Sequence, residues 1–188
     1  MLAFDIETEG FDALKHRITV ACVYDPDAEI KKSFNFIVGG EKSTEDFLKC
    51  LDDADSICAF NGARFDIPFI VKRFSVPKER YEKWYAKLFD YFEVCKVVFN
   101  SSCSLNNLLA ANGQEVKSST GAQAVEWAKE EKWDELVDYC MADTILTHQI
   151  SSMPSVRIPL TKQDAVMFTL KGDENDNPLA GIRFELAR

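Results

Sequence analysis

Two carboxylates stand two residues apart near the start of the chain, Asp5 and Glu7, in the alternating segment 2–7. Side chains two apart on a β-strand point to the same face, so both acids would meet there. Two unit charges about 4 Å apart repel by about 4 kcal/mol at an effective dielectric near 20. A bound cation would offset that repulsion, whereas a solvated strand end would avoid it, and the pair alone leaves both interpretations open.

A third acid, Asp66, follows a short apolar strand predicted at 57–60 and a loop that contains Gly62. It opens a predicted helix that runs to Phe74 and carries Pro68 in its first turn, where proline is tolerated. Asp66 could therefore serve a site or only cap the helix N-terminus. Asn61, in the preceding loop, could likewise be a functional residue or a turn residue.

A fourth acid, Asp143, lies four residues after Tyr139 in a helix predicted at 134–151. Residues at this spacing share one helical face, and the same stripe carries Leu136 and Cys140. An acid on an inward stripe needs a partner. The alternative interpretation is a surface acid beside a half-buried tyrosine.

Together, these segments resemble the three motifs of the DEDD nucleases. Phe4-Asp5-Ile6-Glu7-Thr8 resembles the first motif. The run from Asn61 to Phe69 resembles the second, in the form seen in B-family DNA polymerase proofreading domains. Tyr139-Cys-Met-Ala-Asp143 is similar to the third in its tyrosine (DEDDy) version, because the histidine version would have His where this chain has Asp138. Between them, further positions are similar to predicted stand-alone polymerase-B-like exonucleases: Phe89-Asp90, Ser104-Leu105, Leu108-Leu109, Gly113, Lys117 and Gly121.

The resemblance covers about residues 1–150 and implies a metal-dependent 3′→5′ exonuclease that releases nucleoside 5′-monophosphates. It implies that two Mg²⁺ or Mn²⁺ ions are held by Asp5, Glu7, Asp66 and Asp143, and that Tyr139 aligns the attacking water. Oxygen-only ligands suit these hard cations, and a pair of them about 3.5–4 Å apart is typical of phosphodiester hydrolysis.

The resemblance also indicates substrate contacts and single-stranded 3′ ends as substrate, with DNA favoured over RNA by the polymerase-like second motif. Thr8 is the candidate for the 3′-hydroxyl, and Phe11 or Leu14 for a wedge between the last bases. The remaining candidates line the strand path or contact phosphates: Asn61, Phe65, Arg64 and Lys117. Phe11 could instead pack in the core, and each basic residue could be a solvated surface charge. The competing hypothesis is a catalytically weak or inactive nucleic-acid-binding or scaffolding domain.

The element pattern predicts an α/β domain. Strands are predicted at 2–7, 17–24, 31–38 and 57–60. Helices are predicted at about 43–51 with Ser43 or Thr44 as the cap, at 66–74, over most of 79–99 with a break near Asp90, from 104 to 113, and at 123–131 and 134–151. The resemblance implies a ribonuclease H-like fold, a five-stranded mixed sheet flanked by helices. Residues 1–153 would form this domain, and 154–188 an extension with a β-hairpin from strands at 166–170 and 182–186.

Bulk properties narrow the class of protein further. The 188 residues fit one domain, and the net charge of −9 disfavours a protein that coats long nucleic acid through phosphates alone. Six cysteines without a CxxC pair, and two histidines, disfavour a zinc site. No 18-residue apolar run and no secretory signal occur, so we expect an intracellular protein without a membrane span. Nothing in the sequence indicates its protein partners or oligomeric state.

Overall fold

A mixed five-stranded sheet forms the centre of the N-terminal part of the chain. The computed structural model describes residues 1–98, 103–116, 121–159, 165–170 and 182–186. The strands of the sheet are β1 (Leu2–Thr8), β2 (Ile18–Asp25), β3 (Ile30–Asn35), β4 (Ile57–Ala59) and β5 (Leu88–Asp90), in the order β3-β2-β1-β4-β5. The pairs β1–β2 and β2–β3 are antiparallel, whereas β1–β4 and β4–β5 are parallel. The predicted five-stranded mixed sheet is confirmed.

The helices in the described residues are α1 (Gly40–Asp53), α2 (Asp66–Phe74), α3 (Lys78–Ala86), α4 (Tyr91–Glu93), a π-helical segment at Val94–Val98, α5 (Leu105–Ala111), α6 (Gly121–Lys129) and α7 (Trp133–Ser151). Of these, α1, α2 and α3 pack on one face of the five-stranded sheet, and α6 and α7 on the other. Leu2, Phe4 and Ile6 of β1 are buried in one core with residues of α1, α2 and α3. A second core joins Val20 and Cys22 of β2 to residues of α6 and α7. The alternation of β1 therefore separates its apolar side chains from Asp5 and Glu7, which face the other layer.

The chain divides into two compact units: Met1–Asp90 with Ser119–His148, and Tyr91–Ser118 with Gln149–Arg188. The first unit contains the five-stranded sheet. The second contains α5 and a three-stranded antiparallel sheet of β6 (Val156–Pro159), β7 (Ala165–Leu170) and β8 (Ile182–Leu186). The predicted C-terminal hairpin is present as β7 and β8, and β6 extends it. The boundary proposed between residues 153 and 154 stays a prediction.

Within the second unit, one side chain fastens β6 to the end of α5. The Arg157 N–H donates to Asn112 Oδ1 at 2.7 Å, and Asn112 Nδ2 donates to the Arg157 carbonyl at 2.8 Å. The side-chain amide of Asn112 thus forms the two hydrogen bonds that a neighbouring strand would form with the backbone of Arg157.

The stretch 79–99, predicted to be mostly helical with a break near Asp90, is helical on both sides of that point, and the three-residue strand β5 occupies the break. Two other predicted boundaries are wrong for local reasons. Strand β3 ends at Asn35 rather than 38, because Asn35 Oδ1 accepts the N–H groups of Ile37 and Val38 and turns the chain. Helix α1 begins at Gly40 with Gly39 as its N-cap, rather than at a serine or threonine cap. In the described part of the chain, no helix has both the length and the apolar character needed to cross a bilayer.

Candidate functional site

Asp5 and Glu7 lie on the face of β1 that is directed toward α6 and α7. Asp5 pairs across the antiparallel ladder with Cys22, and Glu7 pairs with Val20. Paired residues point to the same face, and both of these partners belong to the core that α7 closes. Both carboxylates are half-buried. The register of β1 against β2 shifts between Glu7 and Thr8, and such irregularities often lie beside functional sites.

Asp66 lies beside the edge of β1 that β4 leaves unpaired, next to Ile6, the residue between the two acids. Strand β4 runs beside β1 only through the pairs Leu2–Ile57 and Ala3–Cys58. Beyond β4, the Ile6 N–H has no strand partner and donates instead to Asp66 Oδ1 at 3.2 Å. Asp66 therefore continues the sheet where β4 stops, next to the residue that separates Asp5 from Glu7. The helix-cap interpretation of Asp66 is wrong, because Phe65 is the N-cap of α2 and no side-chain cap bond is present.

Asp66 is buried, with 4% of its surface exposed. Burial raises its pKa to about 7, the Ile6 N–H opposes that rise, and the nearby charge of Asp90 adds to it. A carboxylate that is short of water and close to another acid is stabilised by a proton or by a cation. Asp66 is therefore suited to a cation-binding site, where a metal ion would take the place of the proton.

Helix α7 brings Tyr139, Cys140 and Asp143 to the same side of the sheet. The Cys140 thiol donates to the Asp5 carbonyl at 3.5 Å, and Cys22 Sγ donates to the Val137 carbonyl at 3.8 Å, so α7 lies directly on β1 and β2. Tyr139 and Cys140 are buried in that contact. Asp143 is half-buried and lies one helical turn beyond Cys140. That Asp143 is directed toward the sheet follows from this helical spacing and stays a prediction.

The carboxylates are only partly gathered around one point. Among the described residues, the group whose potential metal-ligand atoms all lie within 4.8 Å of one another consists of Asp5, Glu7 and Cys140. Asp66 and Asp143 are outside that group. Burial raises the pKa of the Cys140 thiol well above its usual value, and neighbouring Cys22 and the charges of Asp5 and Glu7 contribute in the same direction. The thiol therefore stays protonated, and the donors that remain are carboxylate oxygens, which suit hard divalent cations.

Four of the predicted substrate residues lie in two loops, Phe11 in the loop 9–17 and Asn61, Arg64 and Phe65 in the loop 60–65, and we call these two loops the rim. Phe11 is 89% exposed, so the core-packing interpretation of Phe11 is wrong. Its ring lies edge-on to Phe65, with 6.1 Å between the ring centroids, and Phe65 is half-buried. Asn61 is half-buried with a backbone φ of +69°, and Arg64 is exposed. Lys117 lies outside the described residues.

The loop 9–17, which carries Phe11, is held by its own polar groups. Glu9 accepts hydrogen bonds from the backbone and the guanidinium of Arg17. The Asp12 carbonyl accepts the N–H groups of Lys15 and His16. The Thr8 hydroxyl donates to the Gly10 carbonyl at 2.9 Å. An exposed aromatic ring on a self-supported loop is suited to stack on a partner, because little conformational freedom remains to be lost.

Two site residues were given no role at the sequence level. Asp90 is 6% exposed and accepts the N–H groups of Asn61 and Ala63. It is the last residue of β5, at the break that the sequence indicated in the stretch 79–99. Cys140 contacts Asp5. Its position between Tyr139 and Asp143 in the third motif could have indicated that it lies at the site. Sequence reasoning treated it only as part of the apolar stripe.

The fold and site together define the class of protein. A family model of the RNase H superfamily matches residues 2–153, and the chain belongs to that superfamily. The predicted resemblance to DEDD-type exonucleases is confirmed at the level of superfamily and fold. A comparison with curated proteins found no match.

Solved structures that are similar to this chain come from nucleic-acid enzymes. The family B DNA polymerase from the hyperthermophilic archaeon Pyrobaculum calidifontis matches with a TM-score of 0.57 and 17% identity, over 79% of this chain and 24% of the polymerase. The apo form of a nuclease matches with a TM-score of 0.57 and 20% identity, over 79% of this chain and 68% of the nuclease. Exonuclease I matches with a TM-score of 0.50 and 13% identity, over 99% of this chain and 62% of that protein. The chain thus spans about a quarter of the polymerase, and at these identities the similarity shows the fold alone.

Proposed function

We propose that this chain is a metal-dependent 3′→5′ exonuclease that hydrolyses single-stranded nucleic acid, DNA in preference to RNA. The observation that carries the proposal is the position of Asp66, whose carboxylate is bound to the Ile6 N–H between Asp5 and Glu7. Asp5 and Glu7 repel one another unless a cation compensates them, and buried Asp66 at the same strand is likewise stabilised by a cation. Helix α7 covers the same face and adds Tyr139 and Asp143.

Asp5, Glu7, Asp66 and Asp143 are the residues that would hold two Mg²⁺ or Mn²⁺ ions. Such cations, when bound, lower the pKa of a water molecule and neutralise charge on the phosphate and on the departing oxygen. The reaction breaks the bond between phosphorus and the 3′ oxygen. It leaves a 3′-hydroxyl on the shortened strand and releases a nucleoside 5′-monophosphate.

Tyr139 would orient the attacking water. Its side chain is 8% exposed and packs edge-on against Trp127, with ring centroids 5.9 Å apart. This packing fixes the ring, so the phenolic oxygen occupies one position from which it can accept or donate a hydrogen bond. A group that aligns a nucleophile contributes through orientation rather than through metal affinity.

The rim residues would select the strand end. Phe11 and Phe65 present adjacent aromatic rings on which unstacked bases can pack, a contact that tolerates any base. The Thr8 hydroxyl donates its proton to Gly10, so its oxygen lone pairs remain able to accept a hydrogen bond from a 3′-hydroxyl. The DNA preference is supported by the form of the second motif and by the similarity in fold to a family B DNA polymerase. An intracellular site of action is part of the proposal, and six free thiols favour a reducing compartment.

The test uses 5′-labelled DNA and RNA oligomers of matched sequence, with and without Mn²⁺. Wild-type protein should shorten the label-bearing strand one nucleotide at a time from its 3′ end, and a 3′-phosphate should block it. Asp5→Asn should abolish turnover, whereas Asp53→Asn, on the exposed face of α1, should behave as wild type.

A second variant separates orientation from metal binding. Tyr139→Phe should slow hydrolysis by about 10²-fold or more, the range expected for an oriented proton-transfer or water-aligning group. It should leave the Mn²⁺ affinity measured by calorimetry unchanged. Unchanged turnover by Asp5→Asn, or cleavage that starts from the 5′ end, would refute the proposed function, and DNA binding without hydrolysis would favour the scaffolding alternative.

A further inference from the structure

Asp90 is a buried carboxylate at the end of β5, where it binds the backbone at the start of the loop 60–65. Asp90 pairs in register with Ala59, the last residue of β4, and the loop 60–65 leaves the sheet from that point. Asp90 Oδ1 accepts the Asn61 N–H at 2.9 Å, and Oδ2 accepts the Ala63 N–H at 2.7 Å. Both carboxylate oxygens thus hold one short segment of backbone.

The loop adopts a conformation that needs such support. Asn61 has a φ of +69°, in the left-handed region that is strained for most residues. The Asn61 and Ala63 N–H groups converge on one side of the loop, an arrangement that forms an anion-binding concavity. Here the chain's own carboxylate fills that concavity. Without it, two backbone donors near the sheet would lack their present partners.

The other end of the loop leads directly to the proposed active site. The Asn61 carbonyl accepts the Phe65 N–H at 3.0 Å, and the Gly62 carbonyl accepts the Ile67 N–H at 2.9 Å. Helix α2 follows with Asp66 as its first residue. A shift of the anchored end would therefore be transmitted over a few residues to Phe65, because these hydrogen bonds make the loop and the first helical turn one continuous unit.

We propose that Asp90 is a positioning residue for nucleic-acid binding: its carboxylate holds the loop 60–65 so that Asn61 and Phe65 meet the terminal nucleotides of a single strand. This inference rests on the proposed function. Asp90 acts on the end of the nucleic-acid strand through the loop, and its charge also raises the pKa of nearby Asp66, an effect that Asp90→Glu retains. It holds residues of the proposed binding site in position, and small displacements of such residues reduce binding strongly.

The experiment compares Asp90→Asn with Asp25→Asn. Asp25 is a matched control, because it is another buried carboxylate that accepts a backbone N–H, from Asp27, in a turn at the end of β2. Amide hydrogen exchange reports on the loop itself. In Asp90→Asn, the amides of Asn61 and Ala63 should exchange faster than in wild type, whereas Asp25→Asn should leave them unchanged.

Binding is measured with a fluorescein-labelled ten-residue oligothymidylate in Ca²⁺, with Mn²⁺-supported hydrolysis in parallel. Asp90→Asn should weaken binding about tenfold, the usual effect of losing one charge-assisted hydrogen bond. It should raise KM for the oligomer more than it lowers kcat. Hydrolysis of thymidine 5′-p-nitrophenyl phosphate, which has no neighbouring nucleotide, should change less than hydrolysis of the oligomer. A residue needed only for stability would lower both activities alike.

Asp90→Glu keeps the charge and tests whether the position of the carboxylate matters. It should weaken binding less than Asp90→Asn does, and it decides the question if Asp90→Asn does not fold. Unchanged exchange at Asn61 and Ala63 together with unchanged affinity would overturn the inference, as would an equal loss in Asp25→Asn. If wild-type protein neither binds nor cleaves the oligomer, the proposed function fails instead, and the exchange data still report whether Asp90 holds the loop.

Discussion

Replacing Asp66 with asparagine should stabilise the metal-free protein at alkaline pH while removing its response to metal. Burial raises the pKa of Asp66 from 3.8 to about 7, a difference of about three units. Each unit corresponds to about 1.4 kcal/mol, so the shift is worth at most about 4 kcal/mol. Below pH 3.8, where Asp66 is protonated in both the folded and the unfolded protein, the fold keeps its full stability with respect to this group. That stability falls by up to this amount as pH rises through the folded pKa of about 7. At pH 8, without divalent cations, the wild-type fold therefore contains an unfavourable buried charge.

Asparagine is neutral and keeps an oxygen that can accept the Ile6 N–H. Its Nδ2 lowers the gain if it lacks a partner, a penalty of about 1–3 kcal/mol. We expect Asp66→Asn to be more stable than wild type at pH 8 by about 2 kcal/mol, which raises Tm by roughly 4–8 °C for a domain of this size. At pH 5 the variant should lose this advantage, because Asp66 is then protonated in the fold and the Nδ2 penalty remains.

Thermal unfolding followed by circular dichroism measures this difference at pH 5 and pH 8, in chelator and then in Mn²⁺. His148 changes stability with pH in the opposite direction, because burial lowers its pKa and so destabilises the fold at acidic pH. The difference between variant and wild type at each pH removes that contribution. Added Mn²⁺ should stabilise wild type by about 2.7 kcal/mol at 100 times its Kd and should stabilise Asp66→Asn less.

Two outcomes would refute this reasoning. If Asp66→Asn is less stable than wild type at pH 8 in chelator, Asp66 does not contribute an unfavourable buried charge. If Mn²⁺ raises Tm equally in both proteins, Asp66 does not help to hold the cation. Asp53→Asn, which removes one exposed charge of α1, controls for a general effect of net charge and should show neither pattern.

Two further substitutions test the rim and the loop. Phe11→Ala should leave stability within about 0.5 kcal/mol of wild type, because the ring is exposed, yet weaken oligothymidylate binding at least fivefold through lost stacking. Val38→Ala, at a similarly exposed apolar residue, is the control, and equal affinities of the two variants would contradict a stacking role. Gly62→Ala would place a Cβ 2.6 Å from Ala59 Cβ, so it should lower stability by about 1–3 kcal/mol in denaturant titrations. Gly121→Ala, whose added Cβ meets nothing within 4 Å, should not.

Much of the candidate site could be predicted from the sequence because its parts are local. The alternation of residues 2–7 indicated a strand with Asp5 and Glu7 on one face, and the structure contains that strand as β1. The four-residue spacing of Tyr139 and Asp143 indicated one face of a helix, which is α7. These inferences depend only on the geometry of a strand or helix, which neighbouring residues determine.

Other features could not be predicted, because they depend on partners far along the chain. Asp66 could have been a helix cap by its sequence, whereas in the structure Phe65 is the N-cap and Asp66 accepts the N–H of Ile6, sixty residues away. The exposure of Phe11 depends on how the loop 9–17 folds on itself through Glu9 and Arg17. Strand β5 forms because β4 is there to pair with it, not because its three residues favour a strand.

The sequence by itself therefore determined the chemical types and the faces of the site: acids on a strand, an acid and a tyrosine on a helix, and an order of motifs that resembles one nuclease class. Only the tertiary structure decided which of these faces meet, that Cys140 contacts Asp5, and that Asp90 supports the loop before Asp66. The physical reason is that local backbone geometry sets the direction of a side chain, whereas its neighbours are chosen by the pairing of strands and the packing of helices across the whole domain.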